Sequence, residues 1–348
     1  MKATPFKPAH ILGIDVAKKT FQVALTTVEE PERTNDHSFD NMSAGHRALL
    51  TWLGKRCKPA MLHACMEATG PCGDELALFL DTHIGKLSVE QPRRIKGYAH
   101  CRMMRSKSDP ADARMIAHYC ATQKPRAWKR PSEGQLHLRA ASRRRESLLA
   151  QHQAEKNRLE QTSDRFVRKD ICAHLRHLET RITSIEKEIR SLTQADEKLA
   201  QTIKLLTTIG GIGVTSGTSI LAEIPPIEDL EDARQLAAYA GVTPRHHQSG
   251  TSGSTHTPMS KNGSSRLRKA LFYPAMSAMR YNPACKAFAD RLRAKGKKSI
   301  VIIGAIMTKL LHLIFGVLRS GKPFDPTRHL QHQPQPEISR KYPLIPSP

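Results

Sequence analysis

Short apolar runs broken by polar connections mark the first hundred residues. Residues 11–16 and 21–26 are strand-like and are joined by the tight, basic Ala17-Lys18-Lys19-Thr20, which predicts a hairpin. Residues 61–66 predict a third strand that runs into Glu67. After Gly70-Pro71 the period lengthens, and Leu76, Phe79 and Leu80 fall on one face of a helix. Residues 86–89 predict a fourth strand, and a further helix begins within Ser108-Asp109-Pro110-Ala111-Asp112-Ala113. From about Leu136 to Leu199 the pattern is helical, with neither Gly nor Pro between Gln135 and Thr208. Leu175, Leu178, Ile182, Ile185, Ile189, Leu192 and Leu199 form an a/d seam over about three heptads, which predicts helix pairing.

Two later stretches test the reading. Ile209-Gly210-Gly211-Ile212-Gly213 lies between apolar helical segments and lacks the Gly-Lys-Ser/Thr ending of a phosphate-binding P-loop. It reads either as a helix-hairpin-helix-like turn, with Gly211 and Gly213 offering backbone N–H groups to a nucleic-acid phosphate, or as a plain tight turn. Residues 300–318 are apolar enough to span a bilayer, but Lys309 near the centre costs roughly 2.5–3.5 kcal/mol there, so a buried helix of a soluble domain fits better. The chain beyond 323 is rich in Pro, His and Gln and predicts a disordered tail. Four segments follow: an α/β domain over 8–130, a helical coiled-coil segment over 131–202, a mainly α domain over 203–322 and the tail over 323–348.

Charge then points to a partner. The 55 Lys and Arg against 32 Asp and Glu leave a formal net charge of +23, which calls for a polyanion, and 39% hydrophobic residues suffice for a proper core. Seven scattered cysteines without a C-x-x-C pair argue against a disulfide framework and for a reducing compartment, the cytoplasm. The spacings of His63, Cys65, Cys72, His100 and Cys101 make no zinc pattern, and the first residues lack a signal-peptide core, so no membrane partner is expected.

In so basic a chain the carboxylates stand out. Asp15 is the lone charge in an apolar strand, Glu67 ends another, and Asp109 and Asp112 sit three residues apart on one helical face. Together they would suit Mg²⁺, a hard cation that takes oxygen ligands. Asp109 before Pro110 also reads as a helix cap and Asp112 as a first-turn acid. Basic residues precede this pair (Arg93, Arg94, Lys96, Arg105, Lys107) and recur at Arg143, Arg144 and Arg145, where they read as phosphate contacts or as a solvated helix face.

G-I-D-V-A-K (13–18), M-E-A-T-G (66–70) and K-S-D-P-A-D-A (107–113) resemble the successive acidic motifs of the RuvC-like DEDD transposases of the one-hundred-ten family of insertion sequences, whose members include bridge-RNA-guided recombinases. The likeness continues through P-R-R-I-K (92–96), I-G-G-I-G (209–213), A-A-Y-A-G-V-T-P-R-H-H-Q-S-G-T-S (237–252) and S-K-N-G-S-S-R-L-R-K-A-L (260–271), over roughly residues 10–320. It implies a ribonuclease-H-like first domain whose Asp15, Glu67, Asp109 and Asp112 bind Mg²⁺, in two ions per site. It also implies a nucleophilic serine in the second domain, best matched by Ser249, with Ser252 and Ser254 in the same loop. The expected chemistry is DNA cleavage and rejoining through a serine–DNA intermediate. Element ends and target DNA, a structured guide RNA and a dimer or tetramer of the chain are the expected partners. Arg245, Lys261, Arg266, Arg268 and Lys269 are expected on phosphate, and His246 and His247 depart from the pattern without an assigned role. A RuvC-like endonuclease using water, and a non-catalytic nucleic-acid-binding protein, are the competing readings.

Overall fold

The computed structural model describes residues 6–103, 109–245, 248–249, 252–253 and 257–327, and the chain forms two compact units, 1–130 and 131–348. Arg105, Lys107, His246, His247 and Ser254, and nearly all of the expected tail, lie outside the described residues.

In the first unit β1 (His10–Val16) and β2 (Thr20–Thr27) make the predicted antiparallel hairpin. A strand absent from the sequence reading, β3 (Asn35–Asp40), extends it at the edge. Its sequence, NDHSFD, buries only Phe39, whose ring stacks on Phe21 at 5.5 Å, so it carries almost no apolar alternation to detect. Helix α1 (Ser43–Gly54), also unexpected, buries Leu49 and Leu53. Next come β4 (Leu62–Glu67), α2 (Pro71–Asp81) and β5 (Lys86–Glu90), with β4 parallel to both β1 and β5. Helices α3 (Pro92–Cys101) and α4 (Asp109–Gln123) complete the unit. The sheet order β3-β2-β1-β4-β5 is compatible with the ribonuclease-H-like expectation.

Pleating sorts the two faces. Leu12, Ile14, Leu62, Ala64 and Met66 pack with Leu49, Leu53, Leu76 and Leu80 on one side. Ile11 and Cys65 pack with Ala113, Ile116, Ala117 and Cys120 of α4 on the other. Gly13 permits this second layer, because a Cβ there would run into the Ala113 carbonyl and the Ala117 amide of α4.

The second unit opens with the long helical stretch, which is three helices rather than one: α5 (Glu133–Gln161), α6 (Arg165–Ala195) and α7 (Glu197–Thr207). Breaks occur without Gly or Pro because Asp164 and Asp196 accept the Val167 and Leu199 amides and so cap new helices. α5 and α6 run antiparallel, since Arg145 meets Glu186 at 2.7 Å, His152 meets Glu179 at 3.1 Å and His174 meets Glu155 at 3.7 Å. The seam therefore finds a partner within the chain, and Leu175 and Leu178 are buried. Gly134 abuts the Asp196 carboxylate, so the start of α5 and the end of α6 lie together.

The rest of the unit is α8 (Val214–Glu223), α9 (Ala233–Ala240), the short strands β6 (Gln248–Ser249) and β7 (Ser252–Gly253), α10 (Ser265–Tyr281), α11 (Pro283–Ala294) and α12 (Ser299–Ser320). Leu138 and Leu199 share one core with Leu236, Leu271, Ile306, Leu310 and Ile314, so helices of the middle segment and of the C-terminal segment are built around the same apolar centre. Among the described residues α12 alone is long and apolar enough to cross a membrane. It buries Ile302, Ile306, Leu310, Leu311 and Ile314 in this core, and Lys309 lies 5.5 Å from the centre of the Phe288 ring. The chain stays on the body past 323, since Phe324 packs against the core and its amide donates to Thr208.

Candidate active site

Strand register gathers the first two acids. β1 and β4 are parallel with Ile14 beside Met66, so the next residues along the two strands are Asp15 and Glu67. By alternation Asp15 shares the face of Ile11 and Gly13, and Glu67 that of His63 and Cys65, which is the face covered by α4. Helix α4 runs opposite to these strands: Ala113 lies over Gly13, and Cys120 reaches the His63 carbonyl near the strand beginnings. Its first turn, with Asp109 and Asp112, therefore faces the strand ends where Asp15 and Glu67 stand. Asp15, Glu67 and Asp112 are half-buried and Asp109 is exposed. The helix begins at Asp109 itself, so both acids belong to its first turn.

All four donors are carboxylates, the set a hard divalent cation prefers. Among the described residues, however, no three His, Cys, Asp or Glu side chains are drawn together closely enough to form a ready metal cluster. The acids share an edge of the sheet rather than a finished ligand sphere.

A fifth acid escaped the sequence reading. Glu90 is in register with Glu67, buried on the same face, and held by Arg94 at 3.3 Å. Its signal was present: K-L-S-V-E ends a strand on Glu as L-H-A-C-M-E does, and stopping that strand at Val89 left it out. Deeper under the edge, the hydrogen bond between Cys65 and Cys120, together with burial, holds the Cys65 thiol well above its usual range, so it packs as a neutral group.

The serine-bearing segment lies in the second unit. Helix α9 ends at Gly241, in the left-handed conformation at φ 67°, and the chain then leaves and returns as two antiparallel arms. The arms are stitched by Ser260 N–H to the Thr243 carbonyl (2.8 Å) and Arg245 N–H to the Pro258 carbonyl (2.8 Å). Farther out β6 pairs with β7, Ser249 opposite Ser252. Gly263 seats the returning arm on the Tyr239 carbonyl, where any Cβ would collide.

Several basic residues expected on phosphate are otherwise engaged. Arg143 makes a two-pronged pair with Glu223 (2.7 and 3.0 Å), Arg145 pairs with Glu186, and Arg268 donates to the Ala240 carbonyl at 2.9 Å. Within 143–145, Arg144 is the exposed member. Arg93, Lys96, Arg245, Lys261 and Arg266 are exposed, while Lys269 is exposed and meets Glu146 at 2.6 Å. In the glycine turn, Gly211 has φ 101° and lies against the backbone of Ala278, so close packing explains it, whereas Gly213 caps α8 with open space around it.

Comparison with known proteins places the chain in a family. A profile of DEDD transposases of the IS110 type matches residues 12–167, and the profile described as the IS116/IS110/IS902 transposase family matches residues 203–290. The pilin gene-inverting protein of Moraxella lacunata is 35% identical over 321 residues, covering 91% of this chain and 98% of the relative. The chain belongs to the IS110 family of DEDD transposases. The Moraxella bovis pilin gene-inverting protein is 34% identical over the same shares. An IS110 insertion-element protein of Streptomyces coelicolor is 29% identical over 152 residues, 42% of this chain and 37% of the relative. As a member of the IS110 family the chain is a DNA strand-transfer enzyme, and the DEDD set usually implies a divalent metal.

Proposed function

We propose that the chain is a site-specific DNA recombinase that cuts and rejoins DNA through a serine–DNA intermediate. The observation that carries this reading is the common edge of the first unit, where register and helix direction bring Asp15, Glu67, Asp109 and Asp112 to one end of the sheet. These carboxylates would hold Mg²⁺, in two ions, which when bound polarises a scissile phosphate. Asp15 and Glu67 are positioned by the paired strands, and Asp109 and Asp112 by the first turn of α4. Ser249 supplies the nucleophile: its hydroxyl oxygen attacks phosphorus, the 3′ oxygen leaves, and reversal by another strand's hydroxyl restores a phosphodiester. The two phosphodiesters exchange without an external energy source. Site-specific exchange is supported by the relatives named for pilin gene inversion.

A structured RNA would choose the sequences, with the exposed cations of both units holding RNA and DNA backbones while base pairing reads sequence. Self-assembly into a dimer or tetramer would present the serine of one chain to the carboxylates of another, in the cytoplasm.

The deciding experiment incubates the chain with Mg²⁺, element-end DNA and the element's noncoding RNA, denatures the mixture and looks for DNA attached to protein. An adduct lost in Ser249→Ala and in Asp15→Asn supports the proposal. Cleavage without an adduct, unchanged in Ser249→Ala, overturns it in favour of attack by water. Glu67→Gln is expected to lower the rate at least roughly 100-fold, the upper end of what losing a ligand's partner costs, with DNA binding retained in EDTA.

A further inference from the structure

Helix α10 is embedded in the second unit by Leu267, Leu271, Pro274, Ala275 and Ala278. Its opposite side carries Arg266, Lys269, Tyr273, Met276 and Arg280, all exposed, within an arc of about 80° at 100° per residue. Tyr273 is 76% and Met276 42% exposed, and at a spacing of three they are neighbours on the helix surface. The Phe272 ring lies edge-on to Tyr273 at 5.5 Å and braces it. α10 contains no Asp or Glu, and among the described residues the acid paired with the stripe is Glu146, on Lys269.

We infer that this face of α10 binds an unpaired DNA strand, with a base stacked on Tyr273 and phosphates held by Arg266, Lys269 and Arg280. Charge decides against the simplest rival. A second copy docking through a two-fold contact would set these cations against themselves, whereas a nucleic-acid strand neutralises them. An aromatic ring standing out between cations suits a strand with unstacked bases, since a duplex keeps its base faces covered. Arg266 and Arg280 stand about 21 Å apart along the axis, so the stripe follows a strand over several phosphates. Strand exchange must expose such single strands, and the inference rests on the family's DNA strand transfer rather than on the serine or metal proposal.

The test measures fluorescence anisotropy of a labelled oligothymidylate, an oligouridylate and a DNA duplex with the full chain in EDTA, so that failure of the carboxylate or serine reading leaves it untouched. Tyr273→Ala is expected to weaken oligothymidylate binding roughly 5- to 100-fold and to change duplex binding less than about twofold, while Tyr273→Phe stays near the parent. Arg280→Ala should flatten the salt dependence by about 0.7 in log–log slope. An unchanged affinity in Tyr273→Ala, or an equal loss for duplex, overturns the proposal. So does a Tyr273-dependent preference for oligouridylate, which would make the surface an RNA site. Dissociation of an oligomer in sedimentation with oligothymidylate binding intact would make it an interface between copies and also overturns it.

Discussion

Single residues decide how the acidic edge is built, and not all of them are acids. Asp15 and Glu67 were legible because a charge inside or at the end of an apolar run is costly unless it has a purpose. Gly13 sits in the same motif, yet its role is invisible in sequence, because it depends on a helix a hundred residues later coming to rest on it. Gly13→Ala is expected to destabilise the first unit by roughly 1–3 kcal/mol through overpacking. Both tryptophans, Trp52 and Trp128, lie in that unit, so their fluorescence during thermal unfolding reads the effect directly, and an unchanged midpoint would contradict the packing described. Arg143 and Arg144 look equivalent in R-R-R but are opposites in the fold. Arg143→Ala strands Glu223, which is 9% exposed at its side chain, and should cost roughly 1.5–3 kcal/mol by circular dichroism melting, with little change in phosphate affinity beyond that. Arg144→Ala should leave the melting point within about 0.5 kcal/mol and reduce the salt dependence of DNA binding.

At the level of elements, legibility followed periodicity. The β1–β2 hairpin, β4, α2 and β5 were all readable from period and punctuation. β3 was not, since an edge strand with one buried residue needs little apolar patterning, and α1 was lost beside it. The division of the long helical stretch into α5, α6 and α7 turned on two aspartates, Asp164 and Asp196, that read in sequence as ordinary surface charge. The heptad seam was legible, but its partner was not: a period of 3.5 says that a helix pairs and leaves open whether it pairs with its own chain. The candidate site divides in the same way. Strand ends and a helix start are local signals, whereas the register of β1 on β4 and the reversed direction of α4 are long-range facts.

Over the whole molecule, both units should lose stability as the pH falls through the histidine range. Burial lowers the pKa of His46, and burial together with Arg102 lowers that of His118; both lie in the first unit. Each folded-state pKa is below the unfolded value of 6.5, so the unfolded chain binds more protons in this range. Their contribution is therefore fully present above about pH 6.5 and is lost as pH falls through the folded values. Tryptophan-detected melting should drop between pH 7.5 and 5, and His46→Gln should make that drop shallower; an equal slope in the variant would assign the effect to other groups. In the second unit, burial first and then Arg234 lower the pKa of His312 in the same direction, so it contributes with the same sign.

The α5–α6 pair begins at Gly134 and returns to it at Asp196, and its base is seated on the rest of the unit as far as Glu146, which meets Lys269, leaving about 22 Å of α5 beyond. An arm whose two feet touch behaves as an insertion: its length is independent of the body from which it projects. Removing one heptad from each helix beyond Glu146, in register, would shorten the reach by about 10 Å while leaving both feet, the caps and the core in place. Natural selection can thus retune how far this chain extends by counting residues alone, without redesigning the part of the molecule that has to fold.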